Sequence, residues 1–164
     1  MNAIRGITGA IVSLAVAGCA YYSVTGGLPD HIKTVGVDTI VNETVESGVD
    51  EMLYRALGDK LVGRPQFRYA SSRLADAVIR GTIRNVVDEP FVYSGDRVSE
   101  YQIVIVGEAV LYDRLRRRTV WSNNTLRGTG KYDATGGTIA REEAINSAVA
   151  DFATQTIDGM TSGW

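Results

Sequence analysis

Two one-sided apolar stripes set the terms on which this chain can fold. Ile145, Ala148, Val149, Phe152, Ala153, Thr156, Ile157 and Met160 recur at three- and four-residue spacing, which predicts a helix over residues 138–160. Val45, Val49, Met52, Leu53, Ala56, Leu57 and Leu61 form a second stripe, with Asn42 placed to cap it and Gly63-Arg64-Pro65 to end it. A helix with one apolar face must bury it against another layer. Extended segments supply that layer: residues 32–41, a short piece at 66–70, and longer runs at 76–87, 99–112 and 119–128. The prediction is an α+β fold, a two-layer α/β sandwich of about four mostly antiparallel strands with two helices packed on one face. The other sheet face is left open to water or a partner.

The long runs say more about that open face. In 76–87, Ala77, Ile79 and Ile83 point one way and Arg80, Thr82 and Arg84 the other. In 99–112 one side carries Tyr101, Ile103, Ile105, Ala109 and Leu111, while the second mixes Glu100, Gln102 and Glu108 with Val104, Val106 and Val110. At roughly 3.4 Å per residue this strand would extend about 50 Å, so a bend or bulge near Gly107 is expected. Val104, Val106 and Val110, with Trp121, offer more apolar surface than a solvated face requires. Either a bulge swaps faces and buries some of them, or this face lies against another protein.

The N-terminal segment fixes location. Arg5 precedes an apolar, small-residue run from Ile7 to Ala17, too short to span a bilayer and laid out as a secretory signal. The run Leu14-Ala15-Val16-Ala17-Gly18-Cys19 resembles a bacterial lipobox, with Cys19, the chain's single cysteine, where lipidation and cleavage would occur. The expected organisation is a signal peptide at 1–18, a lipidated tether at 19–31 and one α/β domain at 32–164. The tether is rich in Tyr and Gly. No disulfide can form in such a chain, so its stability must come from packing. The formal net charge of −2 gives no sign of a nucleic-acid protein.

Catalytic chemistry has little to stand on, and no metal or cofactor is expected. His31, the one histidine, follows a Pro-Asp turn and has no ligand spacing around it. Gly128-Thr129-Gly130 and Gly136-Gly137 lack the lysine and hydroxyl residue of a phosphate loop. Asp88-Glu89 before Pro90 read as solvated loop residues. One charged constellation stands out: Arg114, Arg116, Arg117 and Arg118 occupy the turn between the last two long strands. They either keep a hairpin end hydrated or capture an anion, since guanidinium forks match phosphate geometry. Arg127 and Lys131 join them as phosphate-contact candidates on charge and placement.

The order of motifs resembles the LptE family of lipopolysaccharide-assembly lipoproteins. The matching runs are Gly18-Cys19-Ala20-Tyr21-Tyr22-Ser23-Val24-Thr25-Gly26-Gly27, then Leu28-Pro29-Asp30-His31-Ile32-Lys33-Thr34-Val35 and Val41-Asn42-Glu43-Thr44. Ala75-Asp76-Ala77-Val78-Ile79-Arg80-Gly81-Thr82-Ile83, Glu100-Tyr101-Gln102-Ile103-Val104-Ile105, Leu111-Tyr112-Asp113, Val120-Trp121, Lys131-Tyr132 and Trp164 complete the pattern. The resemblance implies a non-enzymatic outer-membrane lipoprotein on the periplasmic side. It would plug the β-barrel protein LptD and support its assembly, and it would contact lipopolysaccharide through basic residues near strand ends. The family pattern does not place those basic residues one by one, and the arginine turn is denser than the family suggests. A lipid-anchored periplasmic scaffold or secretion-system subunit with a similar α/β layer is the alternative.

Overall fold

Residues 28–162 are described by a computed structural model in which both stripes and all the extended runs become regular elements. The order is β1 (Thr34–Asn42), α1 (Val49–Leu61), β2 (Arg68–Tyr69), β3 (Ala77–Ser94), β4 (Arg97–Asp113), β5 (Arg118–Asp133) and α2 (Gly137–Thr161). The signal segment, Cys19, most of the tether and Trp164 lie outside the described residues. One mixed sheet has the order β2-β1-β3-β4-β5, five strands where about four were expected, because the two-residue β2 adds an edge beside β1. β1 pairs parallel with both β2 and β3, while β3, β4 and β5 form an antiparallel meander.

Both helices lie on one face, as the stripes require. Leu53, Leu57 and Leu61 of α1 and Phe152 and Ile157 of α2 meet Ile79, Ile83, Ile103, Ile105 and Leu111 in one core. Fully burying each such side chain contributes roughly 1.5–3 kcal/mol. Two residues assigned to α1 do something else. Val45 is fully exposed. Asn42 organises the connection rather than capping the helix: its Oδ1 accepts the Thr44 N–H at 2.9 Å and its Nδ2 donates to the Glu46 carbonyl at 2.7 Å. The helix therefore starts later, after Gly48.

The predicted irregularity at Gly107 is present. The β4–β5 register slips between Gly107 and Ala109, and the β3–β4 register slips between Ile83 and Asn85, opposite Gly107. A Cβ on Gly107 would come 2.3 Å from the Thr82 carbonyl oxygen, so only glycine fits. Gly128 and Gly130 solve a different packing problem. Added Cβ atoms there would fall 2.1 Å from the Ala148 oxygen and 2.0 Å from the Ala144 oxygen. Their bareness lets the α2 backbone rest directly on β5. At that contact Asp151 Oδ2 accepts the Thr129 N–H at 2.9 Å, and Gln155 Nε2 donates to the Arg127 carbonyl at 2.7 Å.

β3 and β4 are longer than their sequence patterns suggested. They remain paired past Asp88-Glu89-Pro90, which belong to the ladder rather than a loop, as far as Ser94↔Arg97. Gly95, with φ 62°, takes the first central position of this two-residue turn, the place where a hairpin needs glycine. β1 pairs only as far as Asn42↔Ile83, so beyond that point β3 is an edge and a proline is tolerated. Residues 88–97 are exposed on both faces, and no alternation marks them.

Candidate functional site

The basic turn is built around a buried carboxylate. Asp113, fully buried at the end of β4, accepts the Arg116 N–H at 3.0 Å and the His31 Nε2–H at 2.6 Å. Burial alone would push its carboxyl pKa up, but the Arg116 N–H and His31 outweigh that and hold it below the usual carboxylate range. Arg117 adopts a left-handed conformation, φ 52°, which turns the chain back into β5. Asp76 plays the matching part next door, taking the Lys33 and Thr34 N–H groups at 2.9 Å each and the Thr34 hydroxyl at 2.8 Å. Burial opposes its ionisation too, and these donors more than compensate.

Arg114 joins the two turns. Its N–H donates to the Asp76 carbonyl at 2.9 Å, and its guanidinium donates to the Ser72 carbonyl and, at 3.4 Å, to that of Ala75. That arginine is structural, whereas Arg116, Arg117 and Arg118 are exposed and form no ion pair with a described carboxylate. Arg118 also borders a groove with Leu28, Pro29, Trp121 and Met160, where the chain enters the fold.

Arg127 and Lys131 do not join this cluster. Arg118 sits opposite Asp113 and Lys131 opposite Gln102, at the two ends of the β4–β5 ladder, about 35 Å apart at strand spacing. Lys131 Nζ lies 3.7 Å from the centre of the Phe91 ring, and Arg127 stands midway along the open face.

The open face differs from its expected apolar plane. Val106 and Val110 are half-buried on it, but Val104 is wholly buried, flanked by Val87 and Thr129. Trp121 is a correction of face. It sits opposite Leu111 on the helix-covered side, where a Cβ on Gly159 would come 2.9 Å from its ring, and so belongs to the core. The register slip between Gly107 and Ala109 falls between Leu126 and Trp121 and swaps the faces of β5, the alternative in which a bulge buries some of these residues. Polar pairs occupy much of the open face instead. Arg80 reaches Asp38 at 3.0 Å and lies 4.7 Å over the Tyr112 ring, and Arg84 pairs with Glu108.

The far hairpin holds a second charged knot that the sequence did not announce. Arg141 donates to both oxygens of Asp88, at 2.9 and 3.1 Å, and to Glu46 at 2.9 Å. The Tyr132 hydroxyl donates to Asp88 at 2.7 Å and its ring stacks on Tyr101 with centroids 5.5 Å apart. Burial, then the Asp88 carboxylate, push the Tyr132 phenol up to about 12. Asp88, read as a solvated loop residue, is thus the anchor of that end. Beyond it Phe91, Val92 and Tyr93 are exposed.

Among the described residues no group of His, Cys, Asp and Glu is arranged to hold a metal, and no helix is long and apolar enough to cross a membrane. The arrangement is a two-layer α/β domain. The model of the LptE family, described as lipopolysaccharide-assembly, matches residues 32–159, and the chain belongs to that family. No curated protein matches the sequence. Solved structures share the fold at low identity. A protein from Xanthomonas campestris is 15% identical over 77% of this chain and 81% of its own, with a TM-score of 0.56. The PelC dodecamer from Paraburkholderia phytofirmans is 18% identical over 85% of this chain and 96% of its own, with a TM-score of 0.51.

Proposed function

We propose that this protein is an outer-membrane lipoprotein of the lipopolysaccharide transport and assembly machinery. Acylated at Cys19 and facing the periplasm, it would plug and support the assembly of an LptD-type β-barrel without covalent chemistry of its own. The observation that carries this reading is the family match across 32–159. The exposed Arg116, Arg117 and Arg118 are its phosphate-facing groups, since lipid A carries phosphates that guanidinium forks fit. Of the remaining candidates, Arg114 is engaged in joining two turns, and Arg127 and Lys131 stand apart.

Affinity capture of the detergent-solubilised protein should retain a large β-barrel, and depletion should leave that barrel misassembled. Capture without a barrel, together with normal barrel levels on depletion, removes the reading. The fold shared with a dodecameric PelC supports a second reading, a lipid-anchored periplasmic scaffold or secretion-system subunit that assembles with copies of itself. Mass measurement separates them: such a subunit gives a high-order homo-oligomer, and a plug gives a one-to-one complex with the barrel. Replacing Arg116, Arg117 and Arg118 together with Ser should weaken lipopolysaccharide binding in a direct titration while the fold is kept.

A further inference from the structure

Where the chain enters the fold, two turns present an exposed surface of mixed character. Leu74 is 81% exposed and Leu115 65%, and arginines flank both: Arg73 beside the first, Arg114 and Arg116 beside the second. Arg114 ties these turns together through the carbonyls of Ser72, Ala75 and Asp76, so the two leucines belong to one fixed surface. We propose that this end, with Arg73, Leu74, Leu115, Arg116, Arg117 and Arg118, is the seat on which the anchored domain, before it enters a barrel, rests against an anionic phospholipid bilayer. The proposal rests on the reading of Cys19 as the acylated anchor.

Three observations select a membrane as the occupant. The first is reach. Leu28 and Pro29 lie against Arg118 and Met160, and His31 is bound to Asp113, so the tether leaves the domain at this end. Cys19 precedes Leu28 by nine residues, which span at most about 30 Å. β4, with its 17 residues, carries the opposite hairpin tip about 55 Å from this end, beyond that reach. The acyl chains therefore enter the bilayer within that reach of the two turns and away from the far tip.

The second is charge. At the near end the exposed Lys33, Arg68, Arg73, Arg116, Arg117 and Arg118 outnumber Asp30, Asp59 and Asp158, whereas at the far end Glu89, Asp96, Asp133, Glu142 and Glu143 outnumber Arg97 and Lys131. An anionic surface attracts one end and repels the other. The third is the leucines. Solvent-facing leucines among arginines fit an interface where the aliphatic side chain enters the acyl boundary and the guanidinium meets headgroup phosphate. A protein partner would satisfy the apolar part but gives no reason for the tether to emerge at the same place.

The test uses the full acylated chain on vesicles. Cys19 is the only cysteine and its sulfur is consumed by the anchor, so a fluorophore can be placed at Ser71→Cys beside the turns or at Asp96→Cys on the far tip. Vesicles of phosphatidylcholine with phosphatidylglycerol carry a headgroup-attached quencher. The Ser71→Cys label should be strongly quenched and the Asp96→Cys label weakly. The contrast should be lost in pure phosphatidylcholine, in about 1 M salt, and in the R116S/R117S/R118S background. Equal quenching at both positions, or a contrast indifferent to lipid charge and salt, overturns the proposal. The salt and lipid arms use the unaltered surface, so a folding defect in the triple variant does not decide the outcome. A chain that fails to float on neutral vesicles overturns the anchor reading itself and the seat with it.

Discussion

β3 and β4 run through two different worlds. Their first stretch, from Ala77↔Asp113 to Asp88↔Ile103, is roofed by both helices and buries Ile79, Ile83, Ile103, Ile105, Ala109 and Leu111. Their second stretch continues the same ladder from Glu89↔Gln102 past Pro90 to Gly95, where residues 88–97 are exposed on both faces and tied down by the Asp88–Arg141–Tyr132 knot. Backbone pairing is common to both stretches; what separates them is the layer above. Hydrogen bonds hold the strands in register in each case, but apolar burial supplies most of the stability, and only the roofed stretch has it.

The sharpest way to break the roofed stretch is Phe152→Ala, which empties the middle of the core. A loss of about 3–5 kcal/mol is expected in denaturant unfolding, enough to unfold a marginal domain. Gly130→Ala tests the helix contact from outside. Its Cβ would press on the Ala144 oxygen, and the strain should cost about 1–3 kcal/mol by the same measurement. In the overhang, Asp88→Ala should change global stability by about 1 kcal/mol or less, because its ion pairs are partly solvated. It should nevertheless speed amide exchange over residues 88–102 while leaving residues 77–83 protected. Loss of protection in both stretches would show that they open as one unit.

The smallest effects are in pH, and here the ends of the molecule part company. Asp113 has a depressed folded pKa, so the stability it contributes is complete above the ordinary carboxylate range and is lost as pH falls through its folded pKa. Tyr132 is raised to about 12 from 10.0, so its contribution is complete below pH 10 and is lost as pH rises toward 12. Acid should therefore loosen the turn and tether exit, along with the Asp88 knot, whose carboxyl is likewise held low, against burial, by Arg141 and Tyr132. Alkali should loosen the far hairpin through Tyr132. Thermal unfolding across pH should show the acid limb flattened in Asp113→Asn and the alkaline limb in Tyr132→Phe.

Legibility followed the roof. Where a helix covers a strand, the period is visible, and Leu53, Leu57, Leu61, Ile103, Ile105 and Leu111 all fell on the side assigned to them. Where nothing covers it, the sequence loses its alternation and Asp88-Glu89-Pro90 read as a loop. A signal was present: Gly95-Asp96 between extended residues is a two-residue hairpin turn, and it implies that pairing runs up to it. Trp121 turned to the core because the slip between Gly107 and Ala109 adds a residue to β5 between Leu126 and Trp121; the bulge was announced by Gly107, but which residues it moves across the sheet was not. The arginine turn was legible as a turn and as a cluster. That Arg114 is structural depended on carbonyls in a loop 39 and 42 positions away, which no local pattern encodes.

The bare glycines of β5 have an effect beyond packing. With α2 seated on the strand, Asp151 and Gln155 take up the outward-facing Thr129 donor and Arg127 acceptor. A stray strand arriving at this margin finds those positions already taken, so the sheet is insulated there against lengthening by a neighbour. For a domain whose proposed home is the inside of another protein's strands, that insulation is what keeps guest and host two separate sheets.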